Sequence, residues 1–342
     1  MKTPFFWYQT RGRVSTFLQP LGWLYGKGVK IVSVLKKPQR FQIPIVSIGN
    51  IVCGGAGKTP TAITLAQLLQ AQGYRVHFVT RGYGRKEKGP LTVDLSHHKA
   101  WNVGDESLLL AQHAPTWVAK KKSEGVQKAI ENGAQLIILD DGHQTNSLYK
   151  DVSLVVVDLL QGFGNECVMP AGPLRENLSE GIRRADGFIG IGKGEIPLKL
   201  LTKPSLPRPH TRPRNDKPYQ PFFKAQIISQ PLTLPSNRVI AFCGLGFPQK
   251  FYTSLENTGV ELIATETFPD HYQYKNEDLL KLQKLAQKHN SVLVTTQKDL
   301  VKIPPLWQDQ VHVLDINIQF ENPKEICDFI LQKIHPLMEN TR

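Results

Sequence analysis

The chain has 342 residues, 40% of them hydrophobic, and a formal net charge of +13. That length suits two domains, and that apolar content is enough for real cores, which excludes wholesale disorder. Cys53, Cys167, Cys243 and Cys327 lie far apart without a CxxC pair, so neither a zinc site nor a disulfide framework is indicated and a reduced, cytosolic setting fits best.

The charge is unevenly placed. No Asp or Glu precedes Glu87; residues 1–86 carry 13 Lys and Arg, and the other 256 residues carry 29 basic and 29 acidic side chains. A positive field confined to the first quarter attracts phosphate, whether on nucleotide, anionic lipid or nucleic acid. Residues 1–37 mix Phe5, Phe6, Trp7, Tyr8, Phe17, Trp23 and Tyr25 with Lys2, Arg11, Arg13, Lys27 and Lys30. No stretch reaches the ~18–20 apolar residues of a spanning helix, and the signal-peptide pattern is absent. This composition suits a segment lying in a membrane interface, with an amphipathic helix packed on the domain as the alternative.

Pro38 and Pro44 bracket the exit from that segment. Ile43 to Ile48 reads as a buried strand, Gly54, Gly55 and Gly57 as a turn, and Thr61 to Gln72 as a helix ending at Gly73. Further strands are expected at Arg75 to Thr80, Leu136 to Leu139, Leu154 to Val157 and Gly187 to Ile191, with a helix around Glu180 to Ala185. This alternation predicts an α/β fold with a doubly wound parallel sheet. Residues 197–224 are rich in proline and read as a connector between a domain at 38–196 and a smaller α/β lobe at 225–342. In that lobe, Arg238 to Phe242 and Ser291 to Thr295 read as strands, Gln249 to Thr258 and Pro323 to Ile334 as helices.

Gly54-Gly55-Ala56-Gly57-Lys58-Thr59 follows a hydrophobic strand and precedes a helix. Glycines let several backbone N–H groups converge on phosphate oxygens, and the helix points its N-terminus at the same anion. Lys58 would reach the β- and γ-phosphates, and the Thr59 hydroxyl would ligate Mg²⁺. The match to a P-loop is imperfect, since Val52 stands where Gly or Ala is usual. Four apolar residues, Leu136 to Leu139, then deliver Asp140 and Asp141 to the carboxyl edge of the sheet, where a metal-organising carboxylate is needed.

Taken together, the motifs resemble the tetraacyldisaccharide 4'-kinase (LpxK) family of lipid A biosynthesis. The resemblance rests on Ser47-Ile48-Gly49-Asn50, the loop 54–60, Arg81-Gly82-Tyr83-Gly84-Arg85, Gly104-Asp105-Glu106, Asp140-Asp141-Gly142 with Gln144, Pro170-Ala171-Gly172-Pro173-Leu174-Arg175-Glu176, Phe268-Pro269-Asp270-His271 and Lys298-Asp299. It implies a P-loop kinase with a second Rossmann-like lobe and an N-terminal helix docking on the cytoplasmic face of the bacterial inner membrane. It implies ATP and Mg²⁺ as cofactors, a lipid A disaccharide precursor and the anionic membrane as partners, and phosphorylation of the precursor's 4'-hydroxyl. Neither nucleic acid nor an obligate protein partner is expected. This sequence departs from the family pattern at His143, Thr145 and Gln297.

By the same resemblance Asp105 and His271 form the proton-accepting pair. Read alone, Asp105 would be a helix N-cap and His271 a surface histidine. Asp140 and Asp141 are expected on the Mg²⁺ side with Thr59, and Glu106 and Glu176 are secondary candidates for metal or nucleotide contacts; Glu176 alternatively pairs only with Arg175. Arg81, Arg85 and Arg175 are candidate phosphate clamps, against a reading as surface ion pairs. Tyr83 is a candidate for the sugar or nucleotide site or else a packed aromatic, and Gln144 is a candidate for positioning water or a phosphate oxygen. Two other readings exist, a GTPase-type switch or metal-delivery chaperone and a basic nucleic-acid binder; the first lacks an Asn-Lys-x-Asp string and the second a reader motif.

Overall fold

The structure is a computed structural model that describes residues 4–34, 37–197, 200 and 220–338. A 3-10 turn (Phe5–Tyr8) leads into helix α1 (Arg13–Val34), which continues through Pro20. Strand β1 (Ile45–Gly49) is followed by α2 (Lys58–Ala71), β2 (Val76–Thr80), the short β3 (Leu91–Thr92), α3 (Ala100–Val103), α4 (Asp105–Ala111), β4 (Thr116–Val118), α5 (Lys122–Glu131), β5 (Leu136–Leu139), β6 (Val152–Asp158), α6 (Leu178–Arg184) and β7 (Gly187–Ile191). From residue 220 onward come β8 (Phe222–Ser229), β9 (Arg238–Cys243), α7 (Gln249–Glu256), β10 (Glu261–Thr267), α8 (Asn276–Lys288), β11 (Val292–Thr296), α9 (Gln297–Leu300), α10 (Pro305–Gln308), β12 (His312–Leu314), β13 (Ile316–Phe320) and α11 (Pro323–Met338).

Among the described residues thirteen strands form two sheets. The larger runs β13-β8-β7-β6-β1-β5-β2-β4-β3, parallel throughout except for its antiparallel edge strands β13 and β3. The smaller runs β10-β9-β11-β12 and is entirely parallel. Strands covered on both faces need unbroken apolar runs. Accordingly β5 sends Leu136 and Ile138 into a core with Leu65 and Leu69 of α2, and sends Ile137 and Leu139 to Val126 and Ala129 of α5. The expected doubly wound sheet and second, smaller parallel lobe are what the chain forms.

The expected boundary at residue 225 does not separate the two sheets. β8 belongs to the large sheet, the chain then builds the small one, and β13 and α11 return to the large one. The reason is apolar burial: Ile318 and Phe320 of β13 and Ile326, Ile330 and Ile334 of α11 fill the same core as α2. The second lobe is thus an excursion between β8 and β13. Residues 198–199 and 201–219 of the expected connector lie outside the described residues.

A single truncation tests this return. Ile330→Ala removes a fully buried side chain from the core beside α2. It should lower the stability of the large lobe by about 2–5 kcal/mol, read as a fall in the denaturant midpoint at unchanged slope.

Candidate active site

The site lies along the carboxyl edge of the large sheet, beneath the second lobe. β1 ends at Gly49, and Gly57 lies in the left-handed region (φ 84°) just before α2 begins at Lys58. A Cβ at Gly57 would approach Ile191 Cδ1 to 2.8 Å, so the turn demands glycine for its backbone and for its neighbour. The loop therefore curls tightly and leaves Lys58 and Thr59 at the first turn of the helix.

Two consecutive aspartates follow β5, and the structure gives them different states. The Thr59 hydroxyl donates to Asp140 Oδ2 at 3.2 Å. Burial, together with the nearby charges of Glu106 and Asp141, pushes the Asp140 carboxyl up to about 7. Asp141 has a left-handed backbone (φ 49°). Arg175 Nη1 donates to both Asp141 oxygens at 2.9 Å, and Lys58 Nζ lies 3.8 Å away. Burial alone would raise Asp141, but Lys58, Arg175 and Lys122 outweigh it and hold the carboxyl far below its ordinary value. Lys122 is buried and donates to the carbonyls of Asp140 and Asp141 at 2.6 and 2.9 Å, which locks the turn.

Across the cleft stands His271 of the second lobe, itself with φ 60°. Its Nδ1 is 2.8 Å from Asp105 Oδ2. Asp105 is 3% exposed. It is the first residue of α4, with Gly104 in the cap position, and its Oδ1 accepts from the Glu106 backbone N–H at 3.0 Å, so it satisfies a first-turn amide from inside the helix rather than from the N-cap. Burial would raise the Asp105 carboxyl, but the bond from His271 and the charges of Lys298 and Lys302 bring it down to about 2. Lys302 Nζ is 2.8 Å from Asp299 and 3.9 Å from Asp105, while Lys298 reaches Glu106 at 3.4 Å and Asp270 at 3.6 Å. The Tyr83 ring, 69% exposed, lies 4.9 Å from the His271 ring. On the opposite flank Lys250 of α7 pairs with Asp158 at the end of β6, so the second lobe touches the first on both sides of the β1 turn.

The structure thus gathers Lys58, Thr59, Asp140, Asp141, Arg175 and Glu106 at one cleft, with Asp105, His271 and Tyr83 beside them. Arg81 is exposed, and its charge acts on both Lys122 and Arg85. Three candidates are placed otherwise. Arg85 folds back into its own loop, with Nη1 buried and only 2.7 Å from where a Cβ on Gly89 would stand. Glu176 is buried with both oxygens on Arg184 Nη2, at 2.5 and 2.6 Å, so it pairs with Arg184 rather than Arg175. Gln144 donates its amide to the Asn50 carbonyl at 2.8 Å and to Glu176 at 3.0 Å, which commits it to structure. His143, where the resemblance expects Phe, is fully buried between Ser153 Oγ and the Gly181 carbonyl; burial holds it neutral. Lys122 and Lys302 escaped sequence reasoning, and Lys298 entered it only within a family string, without a role. Lys122 ends a run of three lysines that reads as a solvated face, and only the strings around Lys298 carried any signal.

Among the described residues no group of three or more His, Cys, Asp or Glu side chains is arranged to hold a metal ion alone. Thr59 and Asp140 supply a hydroxyl and a carboxylate, the hard oxygen donors that suit Mg²⁺ when phosphate oxygens complete its shell. The raised carboxyl of Asp140, next to acids and without a hydrogen-bonded cation of its own, is the environment such an ion would neutralise.

An oxyanion cradle faced by an ionised acid–imidazole pair suits transfer of a phosphoryl group to a hydroxyl, and fold and site together define a P-loop phosphotransferase. The family described as tetraacyldisaccharide-1-P 4'-kinase matches residues 14–335, and the chain belongs to that family. The chain is 42% identical over 325 residues to the tetraacyldisaccharide 4'-kinase of Paramagnetospirillum magneticum, covering 94% of this chain and 96% of that one. It is 42% identical over 310 residues to that of Parvibaculum lavamentivorans, covering 89% and 87%. Among solved structures, LpxK from Aquifex aeolicus in complex with ATP superposes with a TM-score of 0.71 at 27% identity, covering 94% of this chain and 99% of that one.

The depressed Asp105 carboxyl has a consequence for stability. A folded value of about 2 against an ordinary 3.8 contributes about 2 kcal/mol, present above the unfolded value and lost as pH falls towards 2. Urea unfolding between about pH 5 and 2 should show this loss in the wild type, and Asp105→Asn should lack that part of the slope.

Proposed function

We propose that the chain transfers the γ-phosphoryl group of ATP to the 4'-hydroxyl of a tetraacylated disaccharide 1-phosphate, the step that completes the phosphate pattern of a lipid A precursor. The observation that carries the reading is the Asp105–His271 contact, which unites residues 166 positions apart and from different lobes beside the phosphate cradle. Family membership and the likeness to ATP-bound LpxK support the choice of donor and acceptor.

The chain's residues divide the task. Backbone amides from Gly54 to Thr59 and the N-terminus of α2 bind the phosphates, and Lys58 neutralises the transferring group. Thr59 and Asp140 would hold Mg²⁺, which when bound neutralises charge on the β- and γ-phosphates. Arg175, anchored on Asp141, keeps a guanidinium beside the cradle. Asp105 is ionised and fixes the His271 tautomer by accepting from Nδ1, and the pair takes the proton that the attacking hydroxyl loses. Tyr83 and Arg81 flank the acceptor's approach. Overlap of Tyr83 with the imidazole orients the ring as well as the sugar.

The acceptor carries acyl chains and has to be met at a bilayer. Phe5, Val14, Phe17, Leu21, Trp23 and Leu24 are exposed, with Phe17 84% accessible, on a segment without acidic residues. No helix among the described residues is long and apolar enough to cross a membrane. The exposed face therefore suits interfacial docking, with Arg11, Arg13, Lys27 and Lys30 attracting anionic lipid at the cytoplasmic face of the inner membrane.

Purified protein, labelled ATP and a lipid A precursor test the reaction. Asp105→Ala should lower turnover by about 10²–10⁴-fold while ATP affinity changes little; turnover within severalfold of the wild type removes Asp105 from its role. Separately, Phe17→Asp with Leu24→Asp should cut partitioning onto phosphatidylglycerol vesicles by at least about tenfold. Unchanged sedimentation with vesicles would refute the docking face.

A further inference from the structure

The inner side of the N-terminal segment is bonded to the nucleotide site. Residues 164–175 form a loop with one end on that segment and the other on the P-loop. At the first end, Asn165 N donates to the Trp7 carbonyl at 2.8 Å and Trp7 Nε1 donates to the Pro170 carbonyl at 3.1 Å. Asn165 Nδ2 donates to Ser15 Oγ of α1 at 2.9 Å, and Arg11 Nε donates to the Asn165 carbonyl at 3.2 Å. The surfaces meet closely: a Cβ on Gly164 would stand 2.4 Å from the Trp7 carbonyl oxygen, and one on Gly22 of α1 2.6 Å from that of Val168.

At the other end, Cys53 N donates to the Pro173 carbonyl at 2.7 Å and Arg175 N to the Ile51 carbonyl at 2.8 Å, around a bridge between Val52 and Leu174. Asn165 ties the two ends together by donating to the Ala171 carbonyl at 3.0 Å and accepting from Cys167 N at 3.1 Å. One contact skips the loop altogether. The Tyr8 hydroxyl donates to the Cys53 carbonyl at 3.3 Å, and it is the atom a Cβ on Gly54 would meet, at 3.8 Å.

That last contact bears on the phosphate cradle. A trans peptide is planar, with its C=O and N–H pointing in opposite directions. Fixing the Cys53 carbonyl towards Tyr8 therefore fixes the Gly54 N–H away from Tyr8, and with it the orientation of the peptide plane that opens the phosphate-binding turn. Gly54 (φ 112°) has no side chain to resist a flip of that plane. We propose that Tyr8 is a positioning residue of the nucleotide site, and that the turn Phe5–Tyr8 is a limb of the P-loop as well as part of the membrane-facing segment. The proposal rests on the nucleotide-site reading of the Gly54 to Thr59 loop.

Tyr8→Phe removes the hydroxyl and keeps the ring. ATP affinity, measured by calorimetry on the full chain without lipid, should fall about three- to tenfold, the effect of one lost hydrogen bond. In turnover assays KM for ATP should rise by the same factor while kcat at saturating ATP stays within about twofold, because the bond acts equally in ground and transition states. Tyr8→Trp, which keeps a ring donor, should bind ATP more tightly than Tyr8→Phe. Equal ATP affinity in wild type and Tyr8→Phe, with matching melting temperatures, overturns the role of Tyr8. A fall in kcat alone also overturns it. Wild type that binds no ATP at all would instead overturn the nucleotide-site reading.

Discussion

Asp105 is ionised in a place from which water is almost excluded, and the groups that keep it so come from elsewhere in the chain. His271, Lys298 and Lys302 all belong to the second lobe, while Asp105 opens a helix of the first. Stripped of those partners, a carboxylate 3% exposed would bear the full cost of burial and take up a proton. The same contact that keeps the acid ionised therefore couples its ionisation to the docking of the lobes.

The neighbouring acids illustrate the opposite solution. Asp140 and Asp141 are adjacent in sequence, but Arg175 and Lys58 form their ion pairs with Asp141. Asp141 spends its charge on the guanidinium and so fixes the Pro-Ala-Gly-Pro-Leu-Arg-Glu loop to the end of β5. Asp140 keeps the company of a hydroxyl and other acids, which makes it the side chain that a divalent cation relieves. Lys122 hydrogen-bonds neither carboxylate; its charge favours the ionised form of both, and by binding both main-chain carbonyls it sets the turn from which they diverge.

Much of this was legible in the sequence where local rules operate. The four-residue apolar run before Asp140 and the glycines before Lys58 announced a strand edge and an oxyanion turn, since each needs particular residues at particular spacings. Pairings between distant segments were less legible. Nothing local says that Glu176 meets Arg184 rather than Arg175, because about two turns of α6 intervene and only its direction decides. Arg85 looked like a clamp because arginines often are, yet its Nη1 is buried against Gly89 of its own loop. The return of β13 escaped notice for a similar reason: no strand was expected at Ile316–Phe320, and a strand's sequence does not name its partner in any case.

That return governs the order in which this protein can assemble. Ribosomes release a chain from its beginning, and domains generally fold as units once complete. Here the smaller sheet is contiguous in sequence and has all its strands by Leu314, whereas the larger one still lacks an edge strand and the helix that seals α2. The nascent lobe that houses the nucleotide must wait, partly uncovered, until the final helix emerges. Premature stop codons even a few dozen residues from the end would then be far more damaging to accumulation in the cell than the distance from the active cleft suggests.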